Sequence, residues 1–185
     1  MLAYVFWHWR QPDIAAADYE SRQRDFHDAL RASPSPGFVR SFTHAISGAS
    51  WANRGNDAYE DWYLVESSAA LDPLNDAAVS ASRQQPHDRA ALHAAGGTAG
   101  LYRLRDGVAA ERPTHATWFG KPAGMTYPDF FSLLRPVVAS DRAGLWVRQM
   151  TLGPATECCL LGGEVQLPAP LRGEQINLRP VWPGR

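Results

Sequence analysis

From Leu2 to Trp9 the chain is dense in Val and aromatic residues and stops before Gln11-Pro12, a pattern that predicts a strand. The spacing then changes. Tyr19, Arg22 or Gln23, Phe26 and Leu30 share one helical stripe, with Asp13 or Asp18 as cap. Ser33-Pro34-Ser35-Pro36-Gly37 ends this helix, because proline cannot continue it. Phe38 to Ile46 and Tyr59 to Glu66 read as strands, separated by a polar loop, Ser47 to Asn56, that carries Trp51. Ser67 or Ser68 opens a second helix containing Leu71, Leu74, Ala78 and Val79, and a helical or irregular stretch follows past Pro86 to Ala91. Gly96-Gly97 is expected to break the chain before a fourth strand, Gly100 to Leu104, with the Gly-rich run read as a flexible connection. The order is β-α-β-β-α-β.

A linker, Asp106 to Pro113, leads into a second half that starts again with a strand, His115 to Phe119. Thr126 with Asp129 predicts a helix start, and Phe130, Leu133, Leu134, Val137 and Val138 its buried stripe. Strands are expected at Gly144 to Leu152, Glu157 to Leu161 and Asn177 to Trp182; Leu167-Pro168-Ala169-Pro170 sits where a second helix would fall, so that helix is short or missing. Shifted by 108 positions, the segment Asp18 to Thr43 matches Thr126 to Thr151 without a gap, including Phe38-Val39-Arg40 on Trp146-Val147-Arg148. An internal repeat dictates architecture. The expected fold is therefore α+β: two ferredoxin-like repeats, residues 1–107 and a shorter, degenerate copy at 113–185. With both faces of each sheet rich in aromatic residues, the two sheets are expected to pack face to face as one compact pseudo-dimeric barrel.

On the order of elements and those two matched segments, the chain resembles the dimeric α+β barrel superfamily, in a tandem single-chain form. The resemblance covers most of the chain and carries no catalytic motif. It implies a range of activities, from cofactor-free oxygenases and isomerase-like proteins to haem-degrading enzymes and stress-related proteins, so the fold cannot choose among them.

Composition narrows the field. The 185 residues carry a formal net charge of −1, with 10 basic and 13 acidic residues before Gly107 and 8 and 6 after it. Neither half has the basic surplus that nucleic acid or an anionic membrane requires. Lys121 is the only lysine. Adjacent Cys158 and Cys159 point to opposite faces of a strand, which speaks against a disulfide and for a reducing, cytoplasmic setting. The apolar start meets Arg10 at once and reads as neither a signal peptide nor a membrane span.

The candidate chemistry is concentrated in the first half. On the first strand, Val5, Trp7 and Trp9 are expected under the helices, which leaves His8 and Arg10 facing the space between the sheets. Arg40 shares a face with Phe42 and His44, and its echo Arg148 lies between Trp146 and Met150; the pair reads either as ligand-holding or as partners of Asp61 or Glu157. Asp61 and Tyr63 are expected in the same cavity, with Trp62 turned away. His8, Arg40, His44, Asp61 and Tyr63 together would furnish a base, a phenol donor and a cation, enough to remove a proton beside a carbonyl, or else an ordinary buried polar network. Arg10, Arg148 and Trp118 are the candidate ligand contacts. His27 reads as a surface or half-buried helix residue, with an axial haem ligand as its other reading. No His or Cys spacing fits a metal site, and no cofactor follows from the sequence.

Two functions remain open: a small-molecule binder or enzyme, in concrete form a cofactor-free oxygenase or isomerase acting on an aromatic or polyketide-like compound, and a non-catalytic barrel with a filled core. A cavity of roughly 300 Å³ or more would separate them. Unpaired strand edges in the second half would also suit a homo-oligomer.

Overall fold

The computed structural model describes residues 1–52, 57–141, 143–150 and 153–184. The end of the predicted 47–56 loop, and Thr151 and Leu152 at the ends of the matched segment and of a predicted strand, lie outside the described residues. In chain order the elements are β1 (Leu2–Arg10), α1 (Ala16–Ala32), β2 (Phe38–Ser47), β3 (Ala58–Val65), α2 (Leu71–Ala78), α3 (Ala81–Ala91), β4 (Ala94–Gly107), β5 (His115–Phe119), α4 (Tyr127–Asp141), β6 (Gly144–Arg148), β7 (Cys158–Gly162) and β8 (Gly173–Trp182).

The strands form one closed barrel in the order β1-β3-β2-β8-β5-β7-β6-β4, antiparallel at every pair. This corrects the expectation of two ferredoxin-like sheets packed face to face. The strands of the two halves are hydrogen-bonded edge to edge, β2 to β8 and β4 to β6, so there is one continuous sheet. Closure gives every strand two neighbours and removes the open edges that two separate sheets would keep.

Two long strands make the closure. β4 pairs with β1 through Ala94 to Arg103 and with β6 through Tyr102 to Gly107. β8 pairs with β5 from Gly173 to Asn177 and with β2 from Asn177 to Trp182. Both are longer than the sequence pattern predicts. The Gly-rich run, expected to be a flexible connection, lies inside β4. A Cβ on Gly96 would meet the Trp9 ring at 2.8 Å, and one on Gly97 would run into the Phe6 ring. These glycines admit two aromatic rings against the strand, a recognised use of glycine within sheets.

The helices lie outside the barrel. α1 buries Tyr19, Gln23, Phe26, His27 and Leu30, and it begins at Ala15 without a side-chain cap, so neither Asp13 nor Asp18 plays that part. At α4 the predicted start holds: Thr126 Oγ1 accepts from the Asp129 backbone N–H at 3.3 Å and donates to Asp129 Oδ2 at 2.7 Å. Between β7 and β8 the chain forms no helix, and Val165, Leu167 and Leu171 pack directly on the outer face of the sheet.

Candidate functional site

The indoles decide which way the strands face. Trp7, Trp62, Trp118 and Trp146 are fully buried inside the barrel, with Trp7–Trp118 and Trp62–Trp146 ring centroids both 5.3 Å apart. Phe42, Tyr102 and Trp51 pack into the same cluster. An eight-stranded barrel has an interior just wide enough for side chains to fill, and these rings fill it. The assignment of β1 and β3 made from the sequence is therefore inverted. Trp7 and Trp62 point inward, and His8, Asp61 and Tyr63 point outward, towards the helices.

Between the outer face of β1 and β3 and the helices α1, α2 and α3 lies a cavity of about 540 Å³. Its floor is Tyr4, Phe6, His8, Asp61 and Tyr63 from the strands; Tyr19, Gln23, Phe26 and Leu30 of α1 form one wall, and Leu71, Leu74, Ala78, Val79 and Ala90 close the helical side. Gly97 contributes indirectly, since the room it leaves lets Phe6 lie flat beside His8, at 5.1 Å between ring centroids.

The polar end of this cavity is a linked set. His8 Nδ1 lies 2.6 Å from the Tyr19 hydroxyl, and Gln23 hydrogen-bonds the same phenol. His8 Nε2 lies 3.2 Å from Asp61 Oδ1, yet neither atom has a hydrogen bond of sound geometry, although both residues are almost wholly buried. The distance puts them within reach as a charge pair; the angles leave both open. Tyr63 donates to Asp61 Oδ2 at 2.9 Å. Behind Asp61, His27 Nε2 approaches Oδ2 at 3.5 Å and the Thr43 hydroxyl at 2.5 Å, while its Nδ1 lies 2.7 Å from the Ser41 hydroxyl.

Burial alone would raise the Asp61 carboxyl, but His8 and His27 outweigh it and hold the group well below the usual carboxylate range. Asp61 is thus a fixed anion. The Tyr63 phenol moves far the other way, through burial first and then the neighbouring Asp61 charge, and stays a donor.

The other sequence candidates fall elsewhere. His44 lies inside the barrel, opposite Glu60 across the β2–β3 ladder, and burial pushes its imidazole down to about 4 against the pull of Asp61. Burial lifts Glu60 to about 7, even though it accepts indole N–H bonds from Trp7 at 2.7 Å and Trp62 at 2.6 Å. The Arg40 side chain donates to the carbonyls of Ala109 and Ala110, and that of Arg148 to the carbonyl of Ala155; neither guanidinium is paired with the Asp61 or Glu157 carboxylate, although the Arg148 backbone N–H donates to the Glu157 carbonyl at 2.7 Å. Arg10 pairs with Asp57 at 2.7 Å and with the Ile14 carbonyl, outside the cavity lining. Trp118 is a core residue. The structure thus gathers His8, Asp61 and Tyr63, and adds Tyr19, Gln23, Ser41, Thr43 and His27. Tyr19 and Gln23 were visible as part of the α1 stripe; the outward alternation of Ser41, Thr43, Asp61 and Tyr63 was visible only as one of two equal choices.

His27, expected at the helix surface or half-buried, is completely buried, and both ring nitrogens are engaged, so it does not fit an axial haem ligand. Among the described residues no group of three His, Cys, Asp or Glu side chains could hold a metal ion, and no helix is long and apolar enough to cross a membrane.

No protein-family model matches the chain, and no curated protein sequence matches it. Solved structures do. A candidate monooxygenase from Fusobacterium nucleatum subsp. nucleatum superposes with a TM-score of 0.64 at 9% identity, over 97% of this chain and 92% of that one. A candidate chlorite dismutase superposes with a TM-score of 0.50, also at 9% identity, over 97% and 95%. These neighbours are members of the dimeric α+β barrel superfamily, the group the sequence resembles, and at such identity the likeness is one of fold.

Proposed function

We propose that this protein is a small-molecule enzyme whose first step removes a proton from an apolar, ring-bodied compound held against His8. One observation carries this reading: His8 Nε2 and Asp61 Oδ1, both buried, meet at 3.2 Å in two residues that line the cavity, as a charge pair whose hydrogen-bond geometry is strained. In the neutral tautomer whose Nδ1–H donates to the Tyr19 hydroxyl, Nε2 is bare and faces the Asp61 carboxylate as a second acceptor. A donor proton from a ligand satisfies both. Transfer of that proton to Nε2 leaves an imidazolium beside a fixed Asp61 anion, the arrangement that makes a histidine an effective base. The step requires no cofactor.

The reading differs from the sequence expectation in place. The inside of the barrel is filled, as the non-catalytic alternative requires, but the cavity beneath the helices has ample volume for a ligand. An oxygenase or isomerase acting on an aromatic or polyketide-like compound shares this deprotonation as its opening step, and the fold likeness to a candidate monooxygenase agrees with the first of these. In the same reading the halves 1–107 and 113–185 are tandem versions of one unit, acting in the cytoplasm without nucleic acid or membrane.

The test uses 2-tetralone, an uncharged two-ring ketone with acidic α-hydrogens, in D₂O. Purified protein is expected to accelerate α-deuterium exchange over buffer, and His8→Gln to lose the acceleration. Exchange that is no faster than buffer, or that survives in His8→Gln, overturns the reading. Oxygen uptake with an activated phenol then separates oxygenase from isomerase.

A further inference from the structure

Resting on the reading of the cavity as a ligand site, we infer that its ligand is uncharged and enters head first, with a single hydroxyl or enol inward and its hydrocarbon body towards α2 and α3. Three features point this way. The two unsatisfied polar atoms, His8 Nε2 and Asp61 Oδ1, are buried side by side in residues of the floor, and both are acceptors in the His8 tautomer protonated at Nδ1. Most of the remaining lining is hydrocarbon, including Phe26, Leu30 and Leu74. No lysine or arginine lines the cavity; the half-buried His87 does, with its Nδ1 engaged by Asp88, and so do two carboxylates, Asp61 at the floor and the exposed Asp72.

A carboxylate or phosphate on the ligand would therefore lose its water without gaining a free lysine or arginine, with His8 and His87 already beside Asp61 and Asp88, and would meet the Asp61 anion. An uncharged hydroxyl meets neither obstacle. It donates into the acceptor pair, while its rings replace water against the aromatic floor. The same lining that gives the ligand its direction thus also selects its charge. The compounds accepted belong with phenols and enolised ketones, and their acid derivatives are turned away.

Calorimetric titration at pH 7 of the intact chain with 2-naphthol and with 2-naphthoate tests this, with Ala78→Trp as a blocked control. Ala78 is a half-buried lining residue on α2. Naphthol is expected to bind, naphthoate to bind at least about tenfold more weakly or not at all because of the like charges, and the Trp variant to weaken binding. Naphthoate binding as tightly as naphthol, with Ala78→Trp still weakening both, overturns the charge selection and leaves the site standing. Binding of neither probe, or binding indifferent to Ala78→Trp, overturns the ligand site itself.

Discussion

The two outer faces of the barrel are built on the same plan and filled differently. Beneath α1, α2 and α3, the first face carries His8, Asp61, Tyr63, Ser41 and Thr43, and it is hollow. Beneath α4, the second face carries Phe119, Leu145, Cys158 and Leu160, packed against Phe130, Leu134 and Val138, and contributes nothing to the cavity lining. The difference starts at one connection. Two helices separate β3 from β4 and hold the cavity roof away from the strands. Only ten residues separate β7 from β8, and their Val165, Leu167 and Leu171 drop straight onto the sheet. A second helical layer makes room, and its loss lets the face collapse into an ordinary core.

The most severe break of this contrast falls on His8. His8→Gln should lower exchange of 2-tetralone by about 10²–10⁴-fold, the usual worth of a positioned base. Thr117→Val, at the buried polar position on the outer face of β5, should leave the rate unchanged; NMR exchange rates report both. The reverse experiment removes a ring from the solid face. Phe130 is wholly buried, and Phe130→Ala should cost about 3–5 kcal/mol in urea unfolding while leaving the affinity for 2-naphthol intact. A loss of affinity would mean that the two faces are coupled.

The interior beneath both faces has its own signature in pH. Glu60 is raised from 4.5 to about 7, so the folded state keeps a proton that the unfolded state releases, and stability falls as pH rises through that window. His44 is lowered from 6.5 to about 4, so there the unfolded state holds the extra proton, and stability rises with pH from about 4 to 6.5. Each is worth on the order of 3 kcal/mol and they oppose. Glu60→Gln should expose the rise and His44→Gln the fall, in unfolding free energies measured across pH 4–7.5. The smallest effect belongs to Arg40. Arg40→Met removes bonds to two half-buried carbonyls and should cost about 1 kcal/mol, with no change in exchange rate.

Much of the element order was legible, for local reasons. The stripe Tyr19, Gln23, Phe26 and Leu30 has the period of a helix, Pro34 and Pro36 stop it, and Thr126 with Asp129 marks a helix start. Strand length was less legible. Gly96 and Gly97 have the composition of a break, and only the rings of Trp9 and Phe6 explain why they belong to a strand. Of the candidate site, His8, Asp61 and Tyr63 were recognised as one set with the correct shared face, but on the wrong side of the sheet. Alternation says which residues share a face, not which face is inside. Here both faces are aromatic, so the pattern offered no preference.

The sequence by itself determined the order of helices and strands, the near-neutral charge, and the gathering of ionisable and phenolic groups in the first half. Those properties depend on neighbours along the chain or on a sum over it. Tertiary structure decided the closed barrel, the inward turn of four tryptophans and the outward turn of His8 and Asp61. The reason is volume. The barrel interior must be filled by the largest rings available, and once Trp7 and Trp62 take it, period two sends their neighbours to the other side. Whether that side is hollow or solid then depends on the helices above it, whose distance from the sheet no residue reports alone.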